Sequence, residues 1–443
     1  MESKTEEKRQ NEIEIKDEIK VKTKPKETQN DNFVISYFKS IIFSVEEYRT
    51  MALASLIALP LGALVALVEV VFGKGLALVT GIRLEHRMIM TDCLAIVGLV
   101  IAILYKYLGQ KAKKGMSLVF AAADNKEKIP PVLVPLVMIA SWLTHLCGGS
   151  AGREGVAVQI GATLTDQLGY RLQKFGIFKN SRDTFVICGI AAGFAGLFQT
   201  PFAAIFFSLE VLVCGELKYN SLFPATIAAF TSYYIAGKFG IRAEKFPIAT
   251  QMFNPQLFIK LVILGFVFGV AGAFFASTLR RTKKFLSHTF TDPVLKTFVM
   301  GAILSALFNL LHQGRYSGFG TEITAAALTG GKVYAYDWIL KLVLTILTLS
   351  AGFMGGELTP IFSIGSSLGA VIAVFFGLPP TYVAALGYSA MFGSATNTFL
   401  APILIGAEIF GTQNLPSLVV VCAISFFFNF DKTVYGSQKK LKD

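Results

Sequence analysis

The sequence predicts an all-α protein that crosses a membrane many times and is built of two related halves of short, broken helices. Three observations carry this prediction. The 443 residues are 53% hydrophobic and 16% charged, with a mean hydropathy of +0.58, which is too apolar for a soluble domain of this size. The apolar runs are in several cases shorter than the roughly 20 residues a simple span needs, or are cut by glycines. Two of the runs also repeat each other in sequence.

Residues 1–32 hold 8 Lys/Arg and 9 Asp/Glu and almost no large apolar side chain. They cannot bury a core, so residues 1–40 are expected to be a disordered cytoplasmic tail. They lack the apolar region and cleavage site of a signal peptide. From Tyr37 the character changes. Apolar runs follow at 50–82, 88–108, 130–147, 183–213, 222–236, 256–279, 294–311, 337–354, 359–376, 380–393 and 400–429. Some are long enough for two tilted passes, and glycine clusters at 148–155, 352–356 and 365–369 interrupt the pattern. Broken helices follow, because irregular backbone at membrane depth is tolerated only inside protein or along a polar cavity. The competing reading, glycines that merely let helices pack closely, suits the isolated ones.

The remaining charge is basic, and it sits in short clusters between apolar runs, at 106–114, 280–284 and 432–442. Such clusters mark cytoplasmic loops, so a pI near 9.3 is no sign of nucleic-acid binding. Cys93, Cys147, Cys188, Cys214 and Cys422 stand singly, and His86, His145, His288 and His312 are scattered. Neither a disulfide framework, a metal site nor a cofactor is implied. The segment 73–80 lacks the spacing of a phosphate loop.

Setting residues 189–210 against 387–408 gives seven identities in 22 ungapped positions, among them Gly189/Gly387, Thr200/Thr398 and Glu210/Glu408. Each half also carries a glycine-rich break shortly upstream, GGSAGREGVAVQIG at 148–161 and GFMGGELTPIFSIG at 352–365. The chain therefore divides into a first membrane half at 41–250 and a second at 251–443. Glycine-interrupted segments at matching positions of two halves point to a transporter's substrate site near the midplane.

Each break leads into a helix-like run, and a helix start offers free N–H groups and partial positive charge that suit a small anion. Two such starts aimed at one point make an anion site. Glu154 is the informative residue there. Ionised, it competes with the anion for the same N–H groups; protonated, it leaves, so protonation becomes a gate. The bland alternative pairs Glu154 with Arg153 at the membrane edge, but ionisable groups inside a membrane favour function.

GSAGREGVAVQIG resembles the GREG motif of the CLC chloride channels and transporters. GGELTPIF resembles their G-x-F-x-P signature, and Tyr435 in KTVYGSQ falls where the family's last helix presents an anion-coordinating tyrosine. The resemblance runs over about residues 45–440. It implies a CLC fold of two inverted-topology halves with short, tilted helices, and a homodimer in which each subunit has its own pore in the lipid bilayer. It also implies Glu154 as gate and proton carrier. Gly152, Arg153, Gly155, Val156, Gly356, Glu357, Leu358, Thr359, Tyr435 and Met116 would line the anion path.

The departures narrow the expectation. Where most of the family has GSGIP, this chain has Lys114-Gly115-Met116-Ser117-Leu118, with Met116 in place of the anion-binding serine. Val156 follows the GREG motif where the family has proline, and the second motif carries Glu357, Leu358 and Thr359. This combination is similar to the CLC-F branch of bacterial fluoride/proton antiporters. Val211 stands where chloride/proton exchangers carry an inner proton-transfer glutamate, which excludes a proton route through that position.

Fluoride is small and costly to dehydrate, so it needs donors that outcompete water. Thr359 and Tyr435 supply hydroxyls, Glu357 can donate only when protonated, and Met116 offers a polarizable wall. The expectation is an inner-membrane antiporter that exports fluoride in exchange for protons. Within the family the alternative is a chloride channel or chloride/proton exchanger. An intramembrane enzyme or scaffold finds no catalytic pair or metal cluster in the sequence. Glu210 and Glu408 read as caps or pairing groups at the membrane boundary. Lys341 reads as a side chain that snorkels or meets backbone carbonyls near the second break, with an electrostatic role for anions open.

Overall fold

The apolar runs fold into helices, and several of those helices stop at a residue in the left-handed region, as at Gly330, Gly352, Gly377 and Asn397. The computed structural model describes residues 27–110, 112–174 and 182–440. The tail expected over residues 1–40 lies outside the described residues as far as residue 26, and helix is described from Glu27. From Leu53 onward the chain forms one compact unit.

Among the described residues there are seventeen α-helices. In order they are α1 (Glu27–Glu85), α2 (Arg87–Asp92), α3 (Leu94–Tyr107), α4 (Met116–Ala123), α5 (Leu133–Leu146) and α6 (Glu154–Lys174). The first half continues with α7 (Arg182–Phe198), α8 (Pro201–Glu210) and α9 (Leu222–Lys238). The second half holds α10 (Pro255–Thr289), α11 (Pro293–Leu310), α12 (Thr321–Thr329), α13 (Asp337–Ala351) and α14 (Leu358–Phe376). It ends with α15 (Pro380–Thr396), α16 (Leu400–Phe410) and α17 (Leu415–Phe427). Four helices are long and apolar enough to cross a membrane: Tyr48–Glu85 within α1, α10, α11 and α14. Others, such as α3, α5, α8 and α16, are apolar but too short to span alone. Large apolar side chains are exposed along the long helices, for example Leu56, Leu59, Ile259, Ile263 and Phe274, as a lipid-facing surface requires.

The run 183–213 breaks between α7 and α8. Gln199 takes a left-handed φ of 59°, and Pro201 opens α8 at a position where its missing N–H costs nothing. The counterpart break in the second half lies at Asn397, with φ 57°, ahead of α16. The residues paired in the repeat take mirrored places elsewhere too. Helices α6 and α7 cross where Gly161 meets Gly189, and α14 and α15 cross where Gly365 meets Gly387; a Cβ at either crossing would collide with the partner's carbonyl. Ser232 Oγ of α9 donates to Ala192 O at 2.7 Å, and Ser425 Oγ of α17 donates to Ala390 O at 2.8 Å.

Glu210 and Glu408 act as caps, each on the helix that carries the other. Glu210, at the end of α8, accepts from the N–H groups of Phe399 at 3.0 Å and Leu400 at 2.7 Å at the start of α16. Glu408, near the end of α16, accepts from Phe202 at 3.1 Å and Ala203 at 2.9 Å at the start of α8. The two short helices therefore run antiparallel, with each start capped by a carboxylate from the other. Glu408→Ala should lower stability in detergent by about 1–2 kcal/mol, the loss typical of a helix cap. An unchanged denaturant midpoint would show that the cap contributes nothing.

After α17 the chain returns to the end of the first half. β1 (Val213–Cys214) and β2 (Lys439–Lys440) form a two-stranded parallel ladder. Gln438 Nε2 donates to Val211 O and Thr396 O, both at 3.1 Å, and Val434 N donates to Ala395 O at 2.9 Å. These bonds hold the segment that carries Tyr435, whose ring packs against Phe120 of α4.

Candidate functional site

The two glycine-rich breaks meet. The N–H of Gly152 donates to Gly356 O at 2.6 Å, and the N–H of Gly356 donates to Gly152 O at 2.7 Å. This one antiparallel bridge sets the start of α6 against the start of α14. Only residues without side chains allow the approach: a Cβ on Gly356 would lie 2.7 Å from Gly155 N.

Glu154 is the first residue of α6, is fully buried, and turns its carboxylate back into the junction. Oε2 accepts from the N–H of Arg153 at 3.1 Å and from the N–H of Thr359 at 2.9 Å. Oε1 accepts from the Thr359 hydroxyl. The carboxylate thus sits between two helix starts contributed by different halves, where unspent amides and both helix dipoles favour negative charge. Hydrogen bonds to a charged acceptor are worth about 1.5–3 kcal/mol each.

Arg153 does not form the bland pair with Glu154. Its guanidinium lies over the rings of Phe198 and Phe319, 5.3 and 5.5 Å from their centroids, so its contribution to the junction is its backbone N–H. A second correction concerns Gly152 and Gly356, expected among the amides that line the anion path. Their N–H groups are spent on each other's carbonyls, so they join the breaks while Arg153 and Thr359 supply the donors. Leu358 is fully buried and packs in the core.

Directly beside the junction opens a cavity of about 440 Å³. Met116, Val156, Gln159, Glu357 and Tyr435 line it, with Lys113, Lys114, Lys283 and Lys296 among the polar side chains of its wall. Met116 opens α4 behind Gly115, whose φ of 52° turns the chain there. The Tyr435 ring packs on Phe120 with centroids 5.7 Å apart, and its buried hydroxyl has no hydrogen-bond partner among the described residues. Glu357 lies 3.6 Å from Lys283 Nζ. Gly155 backs onto Gly356: a Cβ there would stand 3.2 Å from the Gly356 Cα.

Gln159, Lys283 and Lys296 are among the polar groups of this cavity that escaped sequence reasoning. Gln159 lies one turn beyond Gly155 and donates to its carbonyl at 2.9 Å; its place on the same face of α6 was the available signal. Lys283 belongs to the basic cluster at 280–284, which reads as a loop but falls within α10. Lys296 lies inside an apolar run, and only the packing of α11 against α3 and α13 shows where it sits.

Residues 97–429 match the family described as Voltage gated chloride channel. A chloride/fluoride channel protein of Pseudomonas syringae pv. tomato is 32% identical over 400 residues, which is 88% of this chain and 86% of that protein. An H(+)/Cl(-) exchange transporter ClcA of Salmonella arizonae is 25% identical over 85% of each chain. Among solved structures, a CLC-type fluoride/proton antiporter superposes with a TM-score of 0.85 at 44% identity, covering 88% of this chain and 98% of its own. A slow cyanobacterial Cl−/H+ antiporter shares the fold, with a TM-score of 0.74 at 16% identity over 85% of this chain and 94% of its own. With three quarters of its length matched to the family and its two breaks joined around a carboxylate, this membrane protein belongs to the voltage gated chloride channel family.

Proposed function

We propose that the protein exports fluoride across the cytoplasmic membrane in exchange for protons, with Glu154 as gate and proton carrier. The observation that carries this reading is the Glu154 carboxylate itself, held by donors from both halves in a place sealed from solvent. It accepts three hydrogen bonds as an anion. A protonated carboxyl is a poorer acceptor and carries no charge for the helix starts to hold, so protonation releases the seat. A fluoride arriving from the cavity then meets the N–H groups of Arg153 and Thr359 and the Thr359 hydroxyl. Proton and fluoride move in opposite directions because each empties the seat for the other, and an inward proton gradient drives fluoride out.

Several features favour fluoride. Thr359 brings a hydroxyl to the seat, and Tyr435 lines the cavity with a hydroxyl that has no partner among the described residues. Met116 lines the wall where a chloride site would use a hydroxyl donor. Glu357 faces the same cavity, repels anions while charged, and becomes a donor when protonated. In this reading the lysine-rich mouth of the cavity faces the cytoplasmic side of the inner membrane, which the preference of basic residues for that side supports. The halves 41–250 and 251–443 form an inverted repeat in this reading, and the working unit is a homodimer with one pore per subunit.

The test is ion-selective-electrode efflux from proteoliposomes. Fluoride release with simultaneous proton uptake is expected; equal release of chloride contradicts the assignment, and fluoride release without proton uptake makes the protein a channel. Two substitutions sharpen the test. Thr359→Val should weaken apparent fluoride affinity about tenfold or more, the loss of one charge-assisted hydrogen bond. Met116→Ser should raise chloride transport relative to fluoride, and an unchanged ratio would make Met116 a packing residue.

A further inference from the structure

The cavity beside the seat carries more positive charge than its acids balance. Lys113, Lys114, Lys283 and Lys296 line it, and among the described residues of its lining Glu357 is the single acid. Lys114 is paired with Glu127, Lys283 lies 3.6 Å from Glu357, and Lys113 is exposed to solvent. Lys296 makes no ion pair or hydrogen bond among the described residues. Water reaches both inner lysines: the Lys283 side chain is 43% exposed and Lys296 is half-buried, so neither is stripped of the hydration that a charge needs.

Lys296 sits where α11 packs on the end of α13. Thr297 Oγ1 donates to Ala351 O at 2.9 Å, and a Cβ on Gly352 would stand 3.0 Å from Thr297 Oγ1 and 4.0 Å from Lys296 Cε. Two residues before Gly352, Ser350 lines the same cavity. It is buried, and its hydroxyl has no partner among the described residues. Thr348 shows the ordinary alternative, returning its hydroxyl to Leu344 O at 2.7 Å. From α10, Lys283 comes close enough for the two ammonium groups to repel each other. One lysine at the end of α13 would complement the helix dipole; a second beside it and an idle hydroxyl serve no such purpose.

Two ammonium groups and one carboxylate leave a single positive charge, the amount that one monovalent anion neutralises. An anion between the lysines relieves their repulsion and gives the Ser350 hydroxyl an acceptor. We propose that Lys296, Lys283 and Ser350 form a second anion site in the cavity, where fluoride waits before it enters the seat. This deepens the transport reading above and rests on it. Glu357 links the two places: its Oε1 faces Lys283, and its Oε2 would lie 3.5 Å from a Cβ on Gly155, the residue after Glu154. The donors of the waiting site are two flexible ammonium groups and a hydroxyl in a wet cavity. It therefore holds small halides with little preference, and the choice of fluoride falls to the seat.

The test has a binding arm and a transport arm, both on the full-length protein. Crystals soaked in bromide should show an anomalous peak between Lys296 Nζ and Lys283 Nζ, and crystals of Lys296→Met should show none there. In proteoliposomes, Lys296→Met should raise the KM for fluoride about three- to tenfold, the scale of a partly exposed ion pair. The effect should fall on KM more than on the maximal rate, because saturating fluoride reaches the seat without waiting. Ser350→Ala should move KM in the same direction by less, and Lys296→Arg, which keeps the charge, should restore it. Lys296→Gln takes the place of the methionine variant if that one does not fold. A wild type without the bromide peak, or a folded Lys296 variant with the wild-type KM, overturns the proposal. A wild type that moves fluoride without protons overturns the antiport reading instead, and the bromide peak still decides whether the second site exists.

Discussion

Glu154→Gln should abolish fluoride-driven proton movement, by about 100-fold or more, the scale on which positioned proton-transfer groups act. The glutamine amide is nearly isosteric, so the junction of the two breaks should survive. Its uncharged oxygen still accepts one hydrogen bond from Thr359, but the side chain can neither carry a proton nor be released by one. Residual fluoride movement in this variant should be passive and independent of pH. Proton uptake at the wild-type rate, measured beside fluoride release in the same vesicles, would remove Glu154 from the mechanism.

Gly356→Ala should be nearly as damaging for a different reason. The added methyl would stand 2.7 Å from Gly155 N and 3.2 Å from Glu154 N, both backbone atoms. Neither can step aside as the end of a flexible side chain would, so the starts of α6 and α14 must separate. The donors then no longer converge. Transport should fall below detection, and the thermal midpoint in detergent should drop by the equivalent of about 1–3 kcal/mol, the usual cost of overpacking a tight core. Normal transport would mean that the bridge between Gly152 and Gly356 is incidental to the seat.

The fold was legible where the signal is local. Apolar runs mark the helices, and the glycine clusters mark both breaks, because only glycine permits the backbone approach found at 152 and 356. The repeat was legible through residues such as Glu210 and Glu408, whose mirrored capping roles require the same side chain at matching positions of the two repeated segments. Glu154 and Thr359 were legible as neighbours only through the pairing of the two breaks, since 205 residues separate them. The partners of Arg153 were not legible: Phe198 and Phe319 come from a helix end and a distant loop, and nothing in a one-dimensional pattern brings them to one guanidinium. Lys296 illustrates the same limit, since a single lysine in an apolar run reads equally as lipid-facing, snorkelling or cavity-lining. The amides of Gly152 and Gly356 show a subtler one. A sequence indicates which N–H groups a helix start leaves free, but not which of them another break will consume.

The claim on which the account rests is that one seat is occupied in turn by the Glu154 carboxylate and by fluoride. Calorimetric titration of purified protein with fluoride across pH tests it most directly, using wild type and Glu154→Ala. In wild type, affinity should rise as pH falls, because each fluoride bound requires a proton to free the seat. In Glu154→Ala the seat stands open, so binding should be tighter near neutral pH and should lose that dependence. The same pH dependence in both proteins would contradict the account.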